Sequence, residues 1–228
     1  MLELKSFHAL FLEINKEIIK SINYFVVENV KNSIGFISKI CPDKNITYQD
    51  FILLNENDPI ETSKHLKVCI EGKNLGLLTD AGCPNIADPG SKLILHAHNN
   101  NINVIPLVGP SSILLGMMAS GLNGNNFSFN GYLPIDKKLR ASKIKKLEFI
   151  SKENNQSQIF IETPYRNTKL FDEFLKNLNN ETFLCIARNI GSKEELIKTK
   201  KIYEWKESSI SIEKQPTIFI FHSGSIIS

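Results

Sequence analysis

The chain has 228 residues, 42% of them apolar and 22% charged, with a net charge of +3, enough for a sizeable core in one large domain or two small ones. This is ordinary for a soluble globular protein, and no apolar run is long enough to span a bilayer. The N-terminus, MLELKSFHALFLEINKE, lacks the basic start, apolar centre and cleavage site of a signal peptide, so a cytoplasmic location is expected.

In chain order, Ile14, Ile18 and Ile22 recur at helical spacing across Glu13 to Ile22, and NYFVVE from Asn23 to Glu28 reads as a strand. Lys31 to Ile40 returns to helix, Phe51 to Leu54 is a short strand, and Pro59 to Ile70 a helix. The pivotal stretch is LGLLTDAGCPNIADPG, Leu75 to Gly90. Its apolar start suits a parallel strand covered on both faces. Gly82 permits a turn or close ligand approach, and Asp88 and Pro89 suit the cap and first position of a helix from Ser91 to Asn99. In an open α/β sheet ligands lie at the carboxyl ends of strands, where this loop falls.

Ile102 to Leu107 reads as a further strand running into Gly109-Pro110-Ser111-Ser112, whose hydroxyls and helix-start N–H groups suit a polar ligand. The next helix carries Ile113, Leu114, Met117 and Met118, the methionines as core filling, and stops at Ser120-Gly121. Alternating strands and helices predict a mostly parallel sheet. The polar break Asn123-Gly124-Asn125-Asn126 divides an N-terminal α/β domain, 1–122, from a C-terminal one, 123–228.

The second half offers strands over Phe127 to Leu133, Gln158 to Glu162, Thr182 to Arg188 and Pro216 to His222. A helix opens at Thr163-Pro164 and runs through Leu178, and Lys200 to Glu207 reads as a strand before a long loop; the sheet admits a mixed arrangement. KKLRASKIKK, Lys137 to Lys146, has six cations and no acid. It suits either a solvated helix face or a surface that contacts phosphates. Cys41, Cys69, Cys83 and Cys185 are scattered, and His96 and His98 stand two apart on a helix, so neither disulfides nor a metal site is expected. No P-loop, G-x-G-x-x-G or G-x-S-x-G motif occurs. Strand-end loops bearing Gly, Ser and acids suit a small polar organic ligand.

TDAGCPNIADPG, VIPLVGPSS, ASGL, FSFNGYLP followed by Arg140, IFIETPYR and FLCIAR, taken in this order, resemble the S-adenosylmethionine-dependent methyltransferases of the tetrapyrrole-methylase (class III) fold. They are most similar to the branch that methylates the ribose 2′-oxygen of a cytidine in 16S ribosomal RNA. The resemblance runs from about Tyr24 to the C-terminus. It implies two α/β domains with S-adenosylmethionine in the cleft between them, usually a homodimer, and 16S RNA or the small ribosomal subunit as partner. Carried onto this chain, it implies cofactor contacts at Asp80, Ala81, Gly82, Cys83, Pro84, Asp88, Pro89 and Gly90, at Ser111, Ser112 and Ser120, and at Ala187 and Arg188. Phe127 or Phe129 would pack near the adenine, with core packing as the alternative. Glu28 and Glu162, at predicted strand ends, become candidates for proton acceptor or substrate positioning, or else for helix capping or salt bridging. Lys137, Lys138, Arg140 and Arg166 would face RNA phosphates.

The family's opening strand, with its P-T-P-I-G-N-like loop, has no counterpart in this sequence. The expectation is a start codon set too late or an inactive copy. A small-molecule methylase of the tetrapyrrole branch and a non-catalytic RNA-binding remnant are the competing functions.

Overall fold

The computed structural model describes residues 13–54 and 65–225, which divide between Ser111 and Ser112 into two compact units. In the first, strands β1 (Tyr24–Val27), β2 (Phe51–Leu53) and β3 (Leu75–Leu78) form a parallel sheet in the order β2-β1-β3. Two-residue periodicity sends Phe25 and Val27 to one face, where they pack with Ile19, Ile37 and Ile40 of the helices Glu13–Ser21 and Val30–Ile40. Val26 points to the other face, against Leu66, Leu93 and Ala97. Burial on both faces explains the continuous apolar run of YFVV. Gly76 pairs with Phe25 across the sheet, and a Cβ there would lie 2.7 Å from the Phe25 ring.

Two expectations change in this unit. No strand forms over Ile102 to Leu107: Ile102 and Val104 pack against the Leu66–Leu93 cluster, while Ile105 and Val108 are exposed. A strand needs a hydrogen-bonding neighbour, and among the described residues the sheet ends at β3. Helix Ser91–Asn99 starts after Gly90 rather than at Asp88, because Gly90 at φ +137° holds the backbone outside helical space. Of the expected helix Pro59 to Ile70, residues 59–64 lie outside the described residues, and Lys67–Ile70 is helical.

The second unit has a mixed sheet in the order β4-β5-β8-β6-β7, from β4 (Phe127–Phe129), β5 (Ser157–Ile161), β6 (Phe183–Arg188), β7 (Leu196–Lys201) and β8 (Thr217–His222). β4 runs parallel to β5, and the other pairings are antiparallel. Helices Lys137–Glu153 and Asn167–Asn177 cover one face, where Ile144, Leu170 and Phe174 meet Phe160, Phe219 and Phe221. Trp205, from the short helix Ile202–Lys206, joins them and donates its indole N–H to Leu184 O at 2.7 Å. A strand followed by helix thus replaces the strand expected over Lys200 to Glu207.

Helix Ser112–Ser120 covers the other face, with Met117 among Ile159, Cys185, Ala187 and Ile220. Gly116 lets it come close: a Cβ there would lie 3.4 Å from Ile218 and 3.6 Å from Ala187. The sequence division after Leu122 grouped this helix with the first half, whereas its packing groups it with the second. Met118, expected in the core, is 80% exposed. Among the described residues no helix is long and apolar enough to cross a membrane.

Candidate functional site

In the first unit the parallel register Val27↔Leu78 brings two strand ends together. Glu28, just past β1, donates its N–H to Leu78 O at 3.4 Å, and its Oε2 accepts from the Asp80 N–H at 3.1 Å. Asn29 caps helix Val30–Ile40 by accepting from Asn32 N at 3.1 Å. This sets Asn32 to donate from Nδ2 to Asp80 Oδ2 at 2.8 Å. Asp80, Ala81 and Gly82 are exposed, and Gly82 adopts φ +76° with the Asp88 carboxylate 3.5 Å from where a Cβ would sit.

The rest of the loop folds on itself, Ile86 N donating to Cys83 O at 3.1 Å and Asn85 N to Pro89 O at 3.2 Å. Since Gly90 starts the helix, Asp88 is free to face the strand ends. Partial burial pushes its carboxyl above the usual range, the Glu28 charge adds to this, and a hydrogen bond from Thr79 opposes it. The Cys83 thiol lies 4.0 Å from Pro110 O, which joins the loop to the Gly109–Ser111 segment. The result is an open, glycine-bearing shelf with three carboxylates, Glu28, Asp80 and Asp88, at one strand edge. Among the described residues no group of three or more His, Cys, Asp or Glu is arranged to hold a metal ion. These acceptors suit an organic ligand with a cationic amine and hydroxyl groups.

Several residues expected at a ligand are committed elsewhere. Ser120 is buried; its hydroxyl donates to Met117 O at 2.8 Å and accepts from Leu122 N at 3.0 Å, closing the helix end. Phe129 and Ala187 belong to the Met117 cluster, which favours the core alternative for Phe129. Exposed Phe127 stands at the edge of the sheet. Arg188 donates from Nη1 to Ser211 O. Ser111 is half-buried, and Ser112 exposed at the start of its helix.

The RNA-facing group also divides. Lys137 and Lys138 are exposed on the first turn of their helix, after the Asp136 cap. Arg140 is only 6% exposed, against the expectation of a surface cation. Its Nη1 donates to Pro134 O at 3.1 Å and Ile135 O at 2.8 Å, and Nη2 lies 3.8 Å from the buried Glu173 carboxylate. The reason is helical phase: Arg140, Ile144, Leu147 and Ser151 share the buried stripe. Glu162 is the salt-bridging alternative realised, its Oε1 accepting from Arg166 Nε at 3.0 Å, Arg166 Nη2 at 2.6 Å and Thr163 N at 2.7 Å. Arg166 is thereby fixed while still partly exposed.

No family model matches the chain. Among curated proteins, it is 31% identical over 212 residues to the ribosomal RNA small subunit methyltransferase I of Buchnera aphidicola subsp. Schizaphis graminum (strain Sg), covering 91% of this chain and 71% of that protein. The chain belongs to the ribosomal RNA small subunit methyltransferase I family. The protein of that name from Vibrio cholerae serotype O1 is 26% identical over 209 residues, covering 90% of this chain and 70% of its own length.

Two solved structures share the fold. Diphthine synthase superposes with a TM-score of 0.64 at 15% identity, covering 96% of this chain and 86% of that one. The methyltransferase CobJ gives 0.58 at 13% identity, covering 94% and 89%. The fold is that of the class III, or tetrapyrrole-methylase, methyltransferases. For this family member, sequence reasoning overlooked Asn32 and Thr79, which hold Asp80 and Asp88, and Glu173, the partner of Arg140. The signal for Asn32 was available, since Asn29-x-x-Asn32 opens the helix after β1 and turns the second asparagine toward the strand ends.

Proposed function

We propose that the chain methylates small-subunit ribosomal RNA with S-adenosylmethionine as donor, at the ribose 2′-oxygen of a cytidine in 16S RNA. The observation that carries this reading is the open carboxylate-lined shelf at Asp80–Gly90, in a chain of this family. S-adenosylmethionine, when bound, supplies a methyl group on a sulfonium whose departure leaves an uncharged thioether. The chain's residues therefore have mainly to position and desolvate the reactants and accept one hydroxyl proton. Backbone groups of Asp80, Ala81, Gly82, Cys83 and Pro84 would hold the cofactor, with Asp88, Pro89, Gly90, Ser111 and Ser112 beside them. The carboxylates of Asp80 and Asp88 favour its cationic amine.

Glu28, exposed and oriented through Oε2 by the Asp80 N–H, is our candidate to receive the hydroxyl proton. Glu162 acts by holding Arg166, which with Lys137 and Lys138 meets phosphates. Ser120, Phe129, Ala187 and Arg188 would contribute through the backbone they shape, since their side chains are engaged inside the second unit. In this reading the protein works in the cytoplasm as a homodimer on the small ribosomal subunit.

The test begins with calorimetric titration using S-adenosylhomocysteine, followed by transfer of labelled methyl into unmodified small subunits. Micromolar binding and transfer to a single ribose oxygen are expected. Glu28→Gln should keep S-adenosylhomocysteine binding and lower kcat by about 10²-fold or more. A folded sample that binds no S-adenosylhomocysteine would overturn the proposal.

A further inference from the structure

Tyr132 and Tyr165 are 53% and 81% exposed, and none of the roles above uses them. Both follow the carboxyl ends of two neighbouring parallel strands of the second unit's sheet. β4 and β5 are parallel and paired through Phe129↔Ile159, and the pairing continues beyond β4, with Asn130 N donating to Ile159 O at 2.8 Å and Ile161 N to Gly131 O at 3.1 Å. Tyr132 follows Gly131 directly. Tyr165 follows Ile161 by four positions, in the single 3-10 turn Pro164–Arg166.

Both mounts are pinned. Arg140 binds the Pro134 and Ile135 carbonyls below the first, and the Glu162–Arg166 pair and the Lys214 N–H to Pro164 O bond (3.1 Å) fix the second. Among the described residues neither ring stacks on another aromatic. Ile135 (76% exposed) and Leu139 (62%) follow Tyr132 closely in the chain with the exposed Lys137 and Lys138 between them, and Arg166 is the residue after Tyr165. The acids beside them in the sequence are engaged, Asp136 with Leu139 N and Glu162 with Arg166.

Rigid exposed aromatic faces beside Lys137 and Lys138, which pair with no acid among the described residues, and beside the partly exposed Arg166 held by Glu162 have the chemistry of a single-stranded nucleic-acid platform: π-faces take bases, and cations take phosphates. We propose that Tyr132 and Tyr165 stack on unpaired bases of the RNA substrate, while Lys137, Lys138 and Arg166 contact its backbone. The inference rests on the RNA reading above and narrows it, because a paired A-form helix keeps its base faces stacked and offers none to these rings. Charge disfavours a second copy of the chain as occupant, since a two-fold contact through this patch would bring like cations together.

The test uses the full chain, a fluorescein-labelled cytidine-rich single-stranded oligoribonucleotide, and a duplex RNA as control. Tyr132→Ala/Tyr165→Ala should weaken single-strand binding about tenfold or more and leave duplex binding unchanged. The slope of log affinity against log salt should stay the same, because no charge is lost. Tyr132→Phe/Tyr165→Phe should bind as the unaltered protein does. Lys137→Glu/Lys138→Glu should instead reduce the salt slope.

Equal loss on both RNAs, or none on either, would overturn the platform, and so would a fall in molar mass of the alanine variant on size-exclusion light scattering, which would make the patch a subunit interface. If the unaltered protein binds neither RNA, the RNA reading itself fails. Normal binding with an unaffected alanine variant sinks only the platform. S-adenosylhomocysteine titration of each variant checks that its fold is intact.

Discussion

Arg140 separates two readings of one side chain, and Arg140→Ala tells them apart. As a phosphate contact it would be dispensable for folding. In the structure its guanidinium lies inside the second unit, bonded to the Pro134 and Ile135 carbonyls and paired at 3.8 Å with Glu173, both side chains being 7% exposed. Truncation leaves two carbonyls without their donor and a buried carboxylate without its counter-charge. Removing one partner of such a pair costs about 3–5 kcal/mol, which for a chain of this size lowers Tm by on the order of 10 °C. Urea melts and thermal scans measure the loss. Arg140→Met/Glu173→Leu should recover a large part of it, because that double change leaves no orphaned charge. RNA affinity of the folded alanine variant should keep its salt slope. An unaltered Tm together with weaker, less salt-sensitive RNA binding would refute the argument and return Arg140 to the surface.

Gly76→Ala places a Cβ 2.7 Å from the Phe25 ring in the adjoining strand; overpacking of this kind should cost about 1–3 kcal/mol in denaturant melts, and an unchanged midpoint would contradict it. Burial holds the Cys185 thiol up at about 11 against an ordinary 9.0. Its contribution is full below the unfolded value and is lost as pH rises toward the folded one, because only the unfolded chain ionises in that window. Stability should fall there by roughly 2–3 kcal/mol, and Cys185→Ala, although less stable at neutral pH, should show a flatter curve. Asp88 has its folded pKa raised by burial and by the Glu28 charge, so its ionisation opposes folding above that pKa. Asp88→Asn should be the more stable protein at neutral pH, lose that advantage as pH falls below the ordinary carboxylate range, and bind S-adenosylhomocysteine more weakly. Tighter binding by the variant would remove Asp88 from the shelf.

The elements that could be read from the sequence were those in which local pattern and tertiary demand agree. YFVV and LGLL are apolar throughout because both faces of their sheet are covered, and Ile18, Ile19 and Ile22 carry the buried side of the first helix and its end, although Ile14, read from the same spacing, is exposed. The shelf was legible for a related reason, since Gly82 and the acids fall where a parallel strand must end. Ile102 to Leu107 has a strand's composition, but pairing is a non-local property that composition does not supply. Arg140 was misplaced although the sequence held the correction. Placed in phase with Ile144 and Leu147, it falls on the buried stripe, and counting cations in KKLRASKIKK hid that phase. Its partner Glu173 lies on another helix and carries no local signal.

The same distinction separates two kinds of residue within the family motifs. Asp80, Gly82 and Asp88 stand where the chain turns outward, and their polar atoms remain open or bond Glu28, Asn32 and Thr79 at the strand ends. Ser120, Phe129 and Ala187 belong to motifs of equal prominence yet turn inward: Ser120 closes a helix, and Ala187 keeps its side chain small enough for Gly116 to come close. A larger residue at either small position would lift helix Ser112–Ser120 off β6 and β8, and with it the Ser111–Ser112 step at its start. In the proposed function, where Ser111 and Ser112 border the cofactor, such a motif would serve the ligand by packing the helix that follows them. Gly116→Val should reveal this as a loss of S-adenosylhomocysteine affinity accompanied by a lower Tm. Loss of affinity at an unchanged Tm would instead mean that position 116 acts on the ligand without disturbing the packing beneath it.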